Sequence, residues 1–181
     1  MSHQSIGSTQ RPDPIPPDDP RRRAAIVQAD DDQLPHLSVA GGTYTVLLAG
    51  DDTAQRYTLI DMHVPTGGGP PPHRHDFEEM FSVLEGEVEV TFRGEARVLR
   101  AGQTVNVPAN APHSFRNVSG SPARLLCMCT PPGQEQLFMA IGARVPTRTS
   151  PPPPRDESAQ REQMEQAKAL AAQYRTELLI P

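Results

Sequence analysis

The stretch from Pro70 to Phe81, PPPHRHDFEEMF, decides how the rest of the chain is read. Two histidines, His73 and His75, stand one residue apart, and two adjacent glutamates follow, Glu78 and Glu79. Side chains along an extended strand alternate faces with a period of two. His73 and His75 therefore share a face with Phe77, Glu79, Phe81 and Val83, while Glu78 points the other way. Provided no bulge intervenes, extended geometry selects Glu79 as the carboxylate that accompanies the histidines. Two imidazoles and a carboxylate make a three-ligand set with open positions, suited to divalent Fe, Mn, Ni, Zn or Cu. A fourth ligand is expected from elsewhere, and His113 in GQTVNVPANAPHSFRN (102–117) is the candidate. It follows a proline-rich turn, opens a strand-like stretch, and lies far enough downstream for two hairpins to return it across a small barrel.

The sequence on either side of that stretch has the same texture. TYTVLLA (43–49), a Gly-Asp-Asp turn and QRYTLIDMHV (55–64) read as strand, turn, strand. MFSVL, EVEVTF, ARVLR, TVNVP, HSFRNV and ARLLCMC follow, separated by Glu85-Gly86, Arg93-Gly94-Glu95, Ala101-Gly102 and Ser119-Gly120. Short strands with turn signals at intervals of about eight to twelve residues predict an all-β sandwich or barrel, not alternating helix and strand. Cys127 and Cys129, the only cysteines, fall on one face of the last of these strands. They imply no disulfide framework and are expected to be buried free thiols.

The chain ends differ from this middle. The 21 prolines among 181 residues cluster toward them. Residues 1–23, rich in proline, aspartate and serine, predict a disordered tail, and 24–142 the barrel. QEQLFMAIG (134–142) reads as one short helix, and 143–155 as a stiff proline-rich spacer. Residues 156–181 are read as a C-terminal helix and tail, the composition turning helical from Asp156 over DESAQREQMEQAKALAAQYRTELL. Met164, Ala167, Ala171, Tyr174 and Leu178 make a narrow apolar stripe, and Glu157 with Arg161 a surface pair. Such a C-terminal amphipathic helix docks on its own barrel or on a second subunit, as plain packing or as a lid.

Charge narrows the partners. The formal net charge of -5, with no basic cluster beyond Arg21-Arg22-Arg23, predicts no nucleic-acid partner. No apolar run approaches the roughly 18 residues that span a bilayer, so no membrane association is expected. The first 23 residues lack the apolar segment of a signal peptide, and a cytoplasmic location is the expectation.

Over roughly residues 40 to 130 the chain resembles the single-domain cupins, the cupin 2 conserved barrel. Gly67, His73, His75, Glu79 and Gly86 match that family's first motif, G-x5-H-x-H-x3-E-x6-G. Gly102, Pro108, His113 and Asn117 match the second, G-x5-P-x-G-x2-H-x3-N, with Asn110 in the place of its second glycine. Asparagine tolerates positive φ best among the other residues, so the departure is mild. The resemblance implies a double-stranded β-helix, or jelly roll, holding one metal through His73, His75, Glu79 and His113, and a homodimer. The tail AAQYRTELLIP (171–181) resembles, more loosely, the ending of quercetin-dioxygenase-like cupins, in which the glutamate exchanges between ligand and base. Glu79 would then be catalytic as well as a ligand.

The function this implies is a metal-dependent dioxygenase acting on a small organic substrate with a hydroxyl/carbonyl group. A non-catalytic small-molecule binding or sensing cupin, or a metal-dependent lyase or isomerase, would use the same residues, because a shared site does not name its reaction. Phe81, Val83, Val105 and Phe115 are the expected substrate-pocket walls, joined by Met128 or Phe138. Filling the interior is the ordinary role of such residues in a small barrel. His63, His36 and His3 lie outside the motifs and carry no functional expectation.

Overall fold

The computed structural model describes residues 14–154 and 156–180. His3 and the first 13 residues of the expected tail lie outside the described residues, and 14–23 run as irregular, mostly exposed chain with one turn. The strands are β1 (His36–Val39), β2 (Gly42–Leu48), β3 (Thr58–Val64), β4 (His73–His75), β5 (Glu78–Glu85) and β6 (Glu87–Phe92). They continue with β7 (Glu95–Arg100), β8 (Thr104–Val107), β9 (His113–Arg116), β10 (Ala123–Thr130), β11 (Ala143–Arg144) and β12 (Thr176–Leu178). Two helices, α1 (Gln134–Ile141) and α2 (Glu157–Ala171), complete the fold. Among the described residues no helix is long and apolar enough to cross a membrane.

The strands form two antiparallel sheets in the orders β11-β1-β2-β3-β10-β5-β8 and β12-β4-β9-β6-β7. Together they make the jelly-roll barrel, the double-stranded β-helix. Strict alternation of buried and outward residues along β5 and β10 sends Phe81, Val83, Leu125 and Cys127 inward, where they meet Tyr44, Ile60 and Met62. Burying such side chains stabilises the fold by about 1.5–3 kcal/mol apiece.

The opening stretch is not one strand. β4 belongs to the second sheet and β5 to the first, so the chain changes sheets at Asp76-Phe77. The inward phase survives the crossing: residues 73, 75, 77, 79, 81 and 83 are all buried and those between them are not. Phe77 stacks flat on the His75 ring at 3.9 Å between centroids, and Arg175 holds Asp76 at 2.7 Å. Glu78 faces away from the cluster. It accepts hydrogen bonds from the Asn106 side chain at 2.7 Å and the Ala109 N–H at 3.1 Å, which keep its carboxyl below the ordinary range.

The motif glycines are turn residues. Gly86 has φ +72°, and a Cβ there would stand 2.8 Å from the Pro122 carbonyl oxygen. Asn110 adopts φ +67°, as expected for a residue in glycine's place, and its N–H donates to the His75 carbonyl at 2.6 Å. That bond ties the turn before β9 to β4. Asn117, fully buried, donates to the carbonyls of Val64 and Ser121 and accepts from Ser119, which fixes the chain beyond β9.

The C-terminus corrects the helical reading of its last residues. α2 begins at its cap Asp156, whose side chain accepts the Ala159 N–H at 2.8 Å, and ends at Ala171. One 3-10 turn follows, Arg175 turns the chain at φ +59°, and Thr176–Leu178 form a strand. Glu and Leu are good helix formers, but β4 offers an edge of unpaired backbone groups, and pairing with it wins. Thr176 lies opposite His75 and Leu178 opposite His73, with an Arg74–Glu177 ion pair at 2.5 Å outside. α1 is anchored by Glu135, whose carboxylate accepts the N–H groups of Gly50 and Gly133.

Candidate metal centre

Four side chains from three strands meet inside the barrel. β4 supplies His73 and His75, β5 supplies Glu79, and β9, paired to β4 through His73 and His113, supplies His113. One candidate ligand atom from each lies within 4.8 Å of all the others, and all four residues are buried. Glu79 Oε2 stands 2.9 Å from His75 Nε2 and 3.0 Å from His113 Nε2.

The imidazole orientations carry the chemistry. The Nδ1 atoms of His73, His75 and His113 face the carbonyl oxygens of Pro71, Phe77 and Ala111, each at 2.9 Å. A carbonyl oxygen only accepts, so each Nδ1 carries the proton and donates it. In neutral imidazole the other nitrogen is then a bare lone pair. Three Nε2 lone pairs and a carboxylate oxygen thus converge on one small volume. Such a set repels itself unless positive charge stands among its members. Protons can supply that charge, and so can a divalent cation, whose distances to imidazole and carboxylate ligands run about 2.0–2.2 Å. Backbone carbonyls that fix the tautomer are the usual outer partners of metal-binding histidines. The residues present fit a divalent metal.

Titration reflects the same crowding. Burial, then the charge of His113, lowers His73 from 6.5 to about 4, so it is neutral near pH 7. Burial would raise the Glu79 carboxyl, but the hydrogen bonds of His113 and His75 outweigh it and hold the group well below the carboxylate range. Burial would lower His113, but its hydrogen bond and attraction to Glu79 raise it instead.

Behind Glu79 lie the two cysteines, both free and buried. Cys127 Sγ is 3.3 Å and Cys129 Sγ 3.7 Å from Glu79 Oε1, since β10 pairs with β5 and sets Cys129 opposite Glu79. Burial raises the Cys127 thiol well above its ordinary range. At Cys129 the hydrogen bond with Cys127 lowers the thiol, but burial and the Glu79 charge prevail and take it to about 11. Both remain S–H donors toward the carboxylate. Their shared face was readable in the sequence; the identity of the strand they back was not.

His73 and Glu79 also form part of the wall of a cavity of about 140 Å³. Most of the remaining wall is apolar: Phe81 and Phe115, 5.2 Å apart at their centroids, with Leu137 and Phe138 of α1, Met164 and Ala167 of α2, and Leu178 of β12. Val83, expected in this wall, sits two positions further along β5 and packs into the core instead. Val105 and Met128 are also absent from the lining and half-exposed. Tyr44 and Gln134 line the cavity without having been singled out beforehand. Alternation in TYTVLLA places Tyr44 inward, but only the packed α1 brings Gln134 to the same space. His63 is half-buried on β3 away from the cluster, and buried His36 pairs with Thr45 Oγ1 at 2.7 Å.

Residues 60–129 match the family described as the cupin domain. An uncharacterised protein of Methanocaldococcus jannaschii is 31% identical over 78 residues, covering 42% of this chain and 62% of that protein. Quercetin 2,3-dioxygenase of Bacillus subtilis is 30% identical over 128 residues, covering 70% of this chain and 37% of the enzyme. The chain thus spans less than two thirds of either relative. An RmlC-like cupin from Shewanella frigidimarina has the same fold, with a TM-score of 0.51 at 19% identity over 59% of this chain and 91% of that one.

Proposed function

We propose, for a chain whose residues 60–129 form a cupin domain, that it is a metal-dependent dioxygenase of a small organic substrate with a hydroxyl/carbonyl group. The observation that carries this reading is the convergence of three imidazole lone pairs and one carboxylate, two of whose four members, His73 and Glu79, border a mostly apolar cavity. His73, His75, Glu79 and His113 would hold the metal. When bound, a divalent transition metal supplies Lewis-acid polarisation of a substrate hydroxyl or carbonyl and an electron path to dioxygen.

The chain's own groups do the rest. The three carbonyl-held imidazoles present their lone pairs without needing to reorient, so the ligand set is preorganised. Glu79, ionised and held from behind by two thiols, takes the proton of the substrate hydroxyl as general base. Phe81 and Phe115 keep bulk water from the reacting atoms and strengthen electrostatic interactions there. The relationship to quercetin 2,3-dioxygenase supports an oxygenase over a lyase or a passive binder.

Elemental analysis of the purified chain, followed by oxygen uptake with flavonols, diketones and acireductones, tests the reading. Iron, nickel, copper or manganese at about one per chain with substrate-dependent uptake is expected. Bound metal without uptake on any substrate would replace the oxygenase by the lyase or binder. His73→Ala and Glu79→Ala variants that keep full metal would remove the site itself.

A further inference from the structure

Behind the histidine centre lies a second group of donors. Sγ of Cys127, Sγ of Cys129 and Oε1 of Glu79 converge in the core, and all three residues are buried. Alternation along β10 turns both cysteines inward, with Cys127 opposite Ile60 of β3 and Phe81 of β5, and Cys129 opposite Glu79. The sulfurs are 3.7 Å apart, and they stand 3.3 Å and 3.7 Å from Oε1. An ion held tetrahedrally at about 2.3 Å from two sulfurs and about 2.0–2.1 Å from a carboxylate oxygen sets S–S at about 3.8 Å and S–O at about 3.5–3.6 Å. The three donors therefore match a ligand set to within about 0.3 Å without rearrangement.

Ligand type and enclosure narrow the ion. Thiolates select soft cations, Cu⁺ and Zn²⁺ among them. Zinc almost always takes four ligands in closed sites. Among the described residues no fourth His, Cys, Asp or Glu donor completes this group, and both thiols are fully shielded from solvent. Cu⁺ is satisfied by three ligands. Charge points the same way. Two thiolates and a carboxylate carry three negative charges, and a divalent metal at the histidines offsets two of them. One further positive charge brings the buried assembly to neutrality, the state that burial favours.

We propose that Cys127, Cys129 and Oε1 of Glu79 form a second metal site that takes one Cu⁺ ion. Oε2 keeps its place beside His75 and His113, so Glu79 bridges the two sites. Binding breaks both S–H bonds, releases the two protons to solvent and forms two copper–sulfur bonds, with no change in oxidation state. The preference for a single charge rests on the divalent metal of the proposed function, whereas the spacing of the sulfurs is independent of it. A carboxylate that bridges two cations is a weaker base, so copper in this site restrains the proton transfer assigned to Glu79 above.

Anaerobic competition for Cu⁺ between bicinchoninate, a chromogenic chelator, and the full chain loaded with one equivalent of Zn²⁺ tests this. The chain is expected to retain about one Cu⁺ beside its Zn²⁺, with two sulfur neighbours in the copper-edge X-ray absorption spectrum. Cys127→Ser and Cys129→Ser should each weaken Cu⁺ binding by at least about 100-fold while Zn²⁺ affinity falls by less than about tenfold, which shows that the barrel and the histidine centre are intact. No copper retained against the chelator would overturn the proposal. So would copper with only nitrogen and oxygen neighbours, or a Cu⁺ affinity that both serine variants keep. Copper held by the sulfurs in a chain that takes up no oxygen on any substrate would remove the oxygenase and leave this site standing. Oxygen uptake by a chain that retains no copper would do the reverse.

Discussion

Cys127 Sγ lies 3.3 Å from Oε1 of Glu79, on the side of the carboxylate opposite the histidines. Glu79 is therefore gripped from both ends: Oε2 by His75 and His113, Oε1 by the thiols of β10. A carboxylate buried this deeply is stable only with its oxygens satisfied. The cysteine pair is part of the site's support even though neither sulfur touches the histidines' shared volume.

Removing that support should loosen the metal. Cys127→Ala deletes a donor to Oε1 and opens a small void beside it, whereas Cys127→Ser keeps a donor of similar size. Loss of an outer partner of a metal ligand typically costs 10–100-fold in affinity, roughly. Chelator competition with Zn²⁺ should show about a tenfold weakening for the alanine variant and a smaller one for serine. Equal affinities in all three proteins would mean that the thiols only fill space.

Without metal, stability should be strongly pH-dependent, with two histidines acting in adjoining windows. His73 has a folded value of about 4 against an ordinary 6.5, so the unfolded chain binds more protons between them. Stability then falls as pH drops from 6.5 toward 4, by at most about 1.4 kcal/mol per unit. His113 is raised, so its contribution is fully present below 6.5 and is lost as pH rises through its folded value. Glu79, depressed, adds a further loss below its ordinary 4.5. Urea unfolding of metal-free protein across pH 4–8 should place the maximum near about 6.5, and His73→Asn should flatten the acid limb. An acid limb unchanged in that variant would contradict the assignment.

The legible part of this molecule was whatever obeys a local period. Alternation alone placed His73, His75 and Glu79 on one face, and it placed Phe81, Cys127 and Cys129 inward. The change of sheet at Asp76-Phe77 left no mark because the inward phase runs through it unbroken. Leu178 was read at a helical step and sits on a strand, because the deciding partner, the edge of β4, is about a hundred residues away. Val83 misled in the other direction: correct in phase, it lies too far along β5 to reach the cavity. Tyr44 and Gln134 could not be joined from the sequence, since their common cavity exists only after α1 docks on β1 and β3.

Turn positions should separate sharply on substitution. At Gly86 a side chain would be strained at φ +72° and would press on the Pro122 carbonyl at 2.8 Å. Gly86→Ala should cost about 1–3 kcal/mol. Asn110 already holds φ +67°, so Asn110→Gly should change stability by less than about 1 kcal/mol, whereas the β-branched Asn110→Val should cost more than the glycine. Denaturant midpoints decide this, and a Gly86→Ala protein as stable as the parent would show that the turn yields.

The strongest test of the C-terminal strand is its removal. β12 supplies three residues opposite β4, and beyond it the Leu179 N–H donates to the Pro72 carbonyl at 2.8 Å, next to the first ligand-bearing histidine. Thr176 is buried against this edge, and Leu178 closes one side of the cavity. A chain ending at Arg175 loses these bonds, each worth about 1 kcal/mol net, together with the apolar contact of Leu178. Stability should fall by about 2–4 kcal/mol. The greater consequence lies at the site, because β4 would then be held on one side only, by β9. Zn²⁺ affinity should drop even at temperatures where the truncated chain is fully folded, and an apolar dye should bind the opened cavity. A truncated chain that matched the parent in both measurements would show that β4 holds its histidines without β12.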